Sequence, residues 1–159
     1  MRPEPREHIH PKAITAWRIS AALTVLFYLT MLIVYLIFVF TEDFPMWPAW
    51  AGLLFVLMAG LFDIAIIPEL RWRKWRYTIA ESEIDLMRGV FIIKRTLIPV
   101  NRIQHVDTRQ GPILRYFGLS SVTISTAATM HEIPALDDET ADTVRNHISK
   151  LARVAREDV

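Results

Sequence analysis

The chain has 159 residues, of which 52% are hydrophobic, with a mean hydropathy of +0.26 and a formal net charge of +1. That length leaves room for one soluble domain beside a membrane part, and so small a charge gives no global field for nucleic acid. The chain has no cysteine, which excludes disulfides, thiolate chemistry and zinc–thiolate sites.

Residues 1–18 form a polar arm in which Pro3, Pro5 and Pro11 interrupt any helix. Arg2, Arg6, Lys12 and Arg18 outnumber Glu4 and Glu7, so the arm reads as flexible or surface-bound and cytoplasmic. His8 and His10 are two imidazoles, short of the three or four ligands that a metal site needs. They read as ordinary polar residues.

Ile19 to Phe40 carries no charged residue. A helix over this run is about 33 Å long, enough for a hydrocarbon core of roughly 30 Å. It is too long for the apolar core of a cleavable signal, and it is expected to span. Ser20, Thr24 and Thr30 can return their hydroxyls to the helix backbone. Residues 41–48 form a turn with acids, no base and two helix-breaking prolines, Pro45 and Pro48. A second span is expected over about 50–68, interrupted only by Asp63 and closed by Pro68 and a cationic stretch. Residues 19–70 are thus a transmembrane hairpin, with Ala51, Gly52, Ala59 and Gly60 available for close packing.

Bases flank the hairpin on both sides and acids fill its loop. The positive-inside rule therefore places both termini in the cytoplasm. The expected location is the cell (inner) membrane of a prokaryote, as a multi-pass protein. Asp63 is the intramembrane acid, a residue type that is functional by default. The alternative is a structural ion pair with Arg18, or hydration near the inner interface.

Arg71-Trp72-Arg73-Lys74-Trp75-Arg76 mixes four cations with two tryptophans, as expected where a chain leaves lipid on its cytoplasmic side. Each such cation near an anionic leaflet contributes about 1 kcal/mol. All six residues are expected at the membrane interface, with Trp72 and Trp75 as anchors.

Residues 71–159 then form a cytoplasmic domain of short alternating segments. Strands are expected at Tyr77–Ile79, at Ile84–Leu86, over Phe91–Ile98, over Ile103–Thr108, at Val122–Thr126 and at Met130–Pro134. Pro99 to Arg102 is a break, and Ile113–Phe117 a helical turn. From Asp137 to about Arg156, Val144, Ile148, Leu151 and Ala155 recur on one helical face. Acids fill the first turns, and Lys150, Arg153 and Arg156 the last, matching the helix dipole. This helix is the expected lid on the sheet.

The segment Ile98-Pro99-Val100-Asn101-Arg102-Ile103-Gln104-His105-Val106-Asp107, with Arg115-Tyr116-Phe117-Gly118-Leu119 and Val122-Thr123-Ile124-Ser125-Thr126, resembles the bacterial pleckstrin-homology-like domain of the YdbS-like, membrane-flanked family. The hairpin and basic junction match that family's layout. The resemblance implies a seven-stranded, strongly bent antiparallel sheet or barrel closed at one end by the C-terminal helix. The whole is then an α-helical membrane hairpin followed by an α+β domain. Phosphoinositide-binding relatives carry a basic loop between the first two strands. Here that loop is read as Ala80-Glu81-Ser82-Glu83, whose carboxylates repel phosphate.

No catalytic constellation emerges, and no cofactor is implied. His131-Glu132 lacks the second histidine of HExxH, and Ser120-Ser121 lacks a nucleophile elbow. His105 and Asp107 share a strand face, and their expected role is a lateral hydrogen bond. Arg102, Arg109 and Arg115 flank the signature loop as a rim that is either solvated or in contact with anionic lipid or an acidic partner. The expected function is non-enzymatic: an interaction or scaffold subunit of a membrane complex, in envelope stress or defence. The alternative is a sensor of anionic head groups through the basic rim. The expected partners are the bilayer and another membrane protein, such as a larger one with several related domains, or a second copy. Nucleic acid is not among them.

Overall fold

The structure is a computed structural model that describes residues 4–42 and 44–157, the last two by backbone alone. Arg2, Pro3 and the side chain of Arg156, named above, lie outside the described residues, as does Asp43 of the acidic turn. The chain divides into two compact units, Ile14–Glu69 and the remainder.

The first unit is a helical hairpin. Helix α1 covers Lys12–Glu42 and α2 covers Trp47–Ala65. Both are long and apolar enough to cross a membrane. Ser20, Thr24, Thr30 and Thr41 each donate their hydroxyl to the carbonyl four residues back, at 2.9–3.1 Å. The polar atoms are thereby satisfied within the helix, as hydrocarbon requires. The Tyr35 hydroxyl donates to the Pro45 carbonyl at 2.9 Å and ties the connecting turn to α1. Gly60 lets the helices approach: a Cβ there would lie 2.6 Å from Cγ2 of Val25. At Gly52 a Cβ would meet Cδ1 of Leu32 at 3.4 Å, an ordinary contact, so the close approach is specific to Gly60.

Helix α1 starts at Lys12, directly after Pro11, so residues 12–18 of the expected arm are helical. Two further helix boundaries differ from expectation, and proline explains both. Pro48 does not exclude Trp47–Ala65 from starting early, because it occupies the first turn, where no intrahelical N–H bond is lost. Pro68 likewise opens a further helix, α3, Ile67–Lys74, instead of ending the run. The first four residues of the cationic stretch are therefore helical.

The second unit is strand-rich. Its strands are β1 Glu7–His8, β2 Arg76–Ile79, β3 Glu83–Arg88, β4 Lys94–Pro99, β5 Ile103–Arg109, β6 Leu119–Thr126 and β7 Met130–Asp137. A 3-10 turn, Val100–Arg102, joins β4 to β5. The short α4, Pro112–Tyr116, precedes β6, and α5, Asp138–Glu157, ends the unit. All pairings are antiparallel.

The seven strands do not form one sheet or a closed barrel. They form a four-stranded sheet, β1-β2-β3-β4, and a three-stranded sheet, β5-β6-β7. Ile84, Ile98, Val100, Ile103, Ile124, Ile133 and Ile148 are fully buried, so both sheets and α5 contribute to the core.

The arm is where the structure departs most from the sequence reading. Glu7 and His8 pair with Tyr77 and Arg76, so the arm supplies a strand. Ile9 is 1% exposed. The His10 N–H donates to the Ala135 carbonyl at 3.0 Å, tying the arm to β7. Ala135 itself has a φ of +52°, an uncommon conformation for a residue with a Cβ. The Arg6 N–H donates to Oγ1 of Thr78 at 2.9 Å. The first strand of the domain thus precedes the membrane hairpin and the other six follow it. The acidic turn at residues 80–83 consequently joins the second and third strands, not the first two.

Candidate functional site

The cationic stretch does two jobs. Trp72 donates its indole N–H to the Ile9 carbonyl at 3.0 Å and stacks on His8 with ring centroids 5.7 Å apart. Trp75 is 2% exposed. These two tryptophans anchor the domain to its own arm and core, and Trp75 is not available as an interface anchor. Alternation explains it: the helix ends at Lys74, and β2 begins by turning alternate side chains into the sheet interior. Arg76 pairs with Glu4 at 3.1 Å, again drawing the arm in. Arg71, Arg73 and Lys74 keep exposed surface.

Around Arg71 the structure gathers cations that the sequence reading did not group. Arg71 lies within electrostatic reach of Arg88 and Glu132. His131 lies within reach of Arg88 and Lys94, and its pKa is lowered by burial first and then by those two cations. The imidazole Nε2 and Oγ1 of Thr129 are 2.8 Å apart. Arg88 and Lys94 are directly opposed on β3 and β4. The connection between them exposes Phe91, Ile92 and Ile93 at 78%, 84% and 52%. The available signal was an apolar triplet bracketed by Gly89 and two basic residues. Its composition predicts the start of a strand, over Phe91–Ile98. In the structure β4 begins only at Lys94.

Two of the three arginines of the sequence-predicted rim stand at opposite ends of one strand. Arg102 precedes β5 and Arg109 ends it, so their backbones are separated by about 23 Å. Arg115 lies on α4. All three are exposed. Arg102 lines an open groove of about 950 Å³ with Leu97, Pro99, His105, Ala128 and His131. His105 and Asp107 are both exposed on β5 and make no hydrogen bond to each other.

Ser120 donates to Oδ1 of Asp138 at 2.6 Å, and the Gln110 amide donates to the same oxygen at 3.0 Å. Gln110 also donates to the Leu119 carbonyl. This network fastens the start of α5 to β6, which accounts for Ser120 structurally. Asp137 accepts from the Thr140 backbone N–H at 3.0 Å as the cap of α5. The Thr140 side chain and backbone hydrogen bonds hold its carboxyl below the usual range. His8 and His10 have separate local roles: His10 Nδ1 accepts the Lys12 N–H at 3.2 Å, at the start of α1. Among the described residues, no three or more acidic, histidine or cysteine side chains are placed to hold a metal. Asp63 is exposed on α2 and forms no ion pair with Arg18, so the expected structural pairing is absent.

The domain has a sheet of four strands, a second of three and a C-terminal helix, and two long apolar helices follow its first strand. The model of the bacterial PH domain matches residues 21–152. The chain belongs to the bacterial PH domain family. It is 42% identical over 162 residues to UPF0699 transmembrane protein YdbS of Bacillus subtilis strain 168, covering 100% of both chains. It is 29% identical over 106 residues to UPF0699 transmembrane protein YdbT of the same organism, covering 64% of this chain and 21% of YdbT. No solved structure matches. This bacterial PH domain protein is therefore a membrane protein of the UPF0699 family. The family match begins inside α1 and leaves out β1, the strand that completes the four-stranded sheet.

Proposed function

We propose that this protein is a non-enzymatic, multi-pass docking subunit of a membrane complex, with both termini in the cytoplasm. Its PH-like domain takes a strand or loop of another membrane protein. The observation that carries this reading is the position of β4. It is the outer strand of its sheet, and the open groove of about 950 Å³ runs along it. Leu97, 42% exposed, lies on that strand. A terminal strand beside an open groove of mixed apolar and polar lining suits strand addition, in which main-chain bonds give affinity and side-chain pockets give selectivity.

The comparisons support a particular kind of partner. A short member, YdbS, and a much longer one, YdbT, occur in one organism. A long relative, of which one segment is similar to this chain, is the companion proposed for the short one. Orientation is supported by the cations flanking the hairpin and the acids in its loop. The pairing of β1 with β2 is consistent with both hairpin ends lying on one side.

The test is gentle detergent extraction of the tagged chain from its native membrane, with mass spectrometry and particle mass. The expected result is a stoichiometric second membrane protein, lost on Leu97→Lys without loss of the extracted chain. A lone monomer carrying anionic lipid would overturn the docking reading in favour of a head-group sensor. Arg102, Arg109 and Arg115 have weaker support in that role, because β5 holds Arg102 and Arg109 apart.

A further inference from the structure

We propose that the tip of the β3–β4 hairpin, Phe91-Ile92-Ile93, inserts into the head-group region of the anionic leaflet from which the chain emerges, with Arg88 and Lys94 on the lipid phosphates. This contact is separate from the docking groove and does not depend on it.

Three observations meet at this tip. The first is exposure. Three consecutive large apolar side chains are 78%, 84% and 52% exposed in a loop, where isolated exposed residues would be ordinary but a contiguous apolar run marks an interaction surface. Their presentation is built in. Gly89 has a φ of +127°, and a Cβ there would lie 1.9 Å from the Ile92 carbonyl oxygen. The turn therefore requires glycine and fixes the triplet outward.

The second is charge. Arg88 and Lys94 are register partners at the base of the tip. Like charges directly opposed across a strand pair are destabilising, and a surface of phosphates offsets that repulsion. Arg95, by contrast, is committed to Asp85, with its Nε donating at 2.9 and 3.0 Å.

The third is continuity. Arg71 belongs to the stretch in which the membrane-spanning helix ends, and Arg88 is within its electrostatic reach. The base of the hairpin is thus within electrostatic reach of the stretch in which the spanning helix ends. Apolar side chains rimmed by cations are the composition expected at an anionic leaflet. A docked protein would need acidic chemistry at the same depth, for which no feature argues.

The chain has no cysteine, so Ile92→Cys places a single nitroxide at the tip. Ile92 lies outside the strands and is 84% exposed, so the change removes no core contact. The full-length protein is reconstituted in vesicles of phosphatidylglycerol and phosphatidylcholine, with His147→Cys on α5 as the reference. The expected result is a label at residue 92 that collides with oxygen and is shielded from a water-soluble nickel chelate, while the label at 147 stays accessible to the chelate. Adding Arg88→Glu and Lys94→Glu is expected to abolish the shielding. Equal chelate access at 92 and 147 would overturn the proposal. Dipolar broadening between labels at 92 would overturn it in favour of a second copy. Shielding that survives the charge reversals would overturn the role of the anionic leaflet.

Discussion

Tyr77 shows how burial of a single side chain shapes the response of this domain to alkaline pH. It sits on β2 opposite Leu86 and is 4% exposed. Burial, followed by the charges of Glu7 and Asp137, pushes its phenol up to about 12 from 10.0. The neutral phenol is the form the fold prefers. Its contribution is complete below pH 10, the unfolded value, and is lost as pH rises toward 12. The linkage amounts to about 3 kcal/mol. Tyr77→Phe is expected to leave stability at pH 7 nearly unchanged and to flatten the loss between pH 10 and 12, as read by denaturant unfolding of the full chain in micelles. The tryptophans show the limit of reading residues singly. Both were legible as amphipathic groups at a lipid boundary, yet Trp72 is held by Ile9 and His8, and Trp75 is core. Composition near a membrane does not separate a ring that faces lipid from one that faces an arm distant in sequence.

At the scale of elements, local pattern revealed most of what is local. The two apolar spans, the hydroxyls that return to their own helix, the strands β2, β3, β5, β6 and β7, and the turn before β6 were all readable, since periodicity and turn residues act over a few positions. Helix α5 was readable with a small rotation: the buried stripe is Ala141, Val144, Ile148 and Ala152 rather than one running through Leu151 and Ala155. Two elements were hidden for a physical reason. The apolar tip Phe91-Ile92-Ile93 has the composition of a strand but no partner strand. Strand β1 has two residues, Glu7 and His8, without alternation or β-propensity. It exists because β2 offers an edge and because Ile9 fills a core position. Ile9→Ala is accordingly expected to cost about 2–5 kcal/mol in unfolding of the full chain. Ile92→Ser, on an exposed loop, should stay within about 0.5 kcal/mol. Equal effects would show that the arm does not complete the sheet.

For the whole molecule, the consequence is a domain divided by its own membrane anchor. The four-stranded sheet takes its first strand from before α1 and the rest from after α3. Both ends of the hairpin are therefore committed to one fold, an arrangement that tethers the domain twice. No sequence window contains this relation, because the paired segments lie at either end of the hairpin, Arg6 and Thr78 being 72 positions apart. The bacterial PH domain match covers residues 21–152 and leaves the first strand out. The candidate site was less legible than the fold for the same reason. Arg102, Arg109 and Arg115 are close in sequence and spread along β5 and α4, whereas Arg71, Arg88 and Lys94 are scattered in sequence and neighbours in the fold.

The most direct test of this account is thiol accessibility in intact cells, with single cysteines at Glu7, Phe44 and Gln104 of the cysteine-free chain and a membrane-impermeant maleimide. The account predicts that residue 44 reacts in intact cells and that residues 7 and 104 react only after permeabilisation. Residues 7 and 104 in different compartments would contradict it, since β1 and β2 could not then share a sheet.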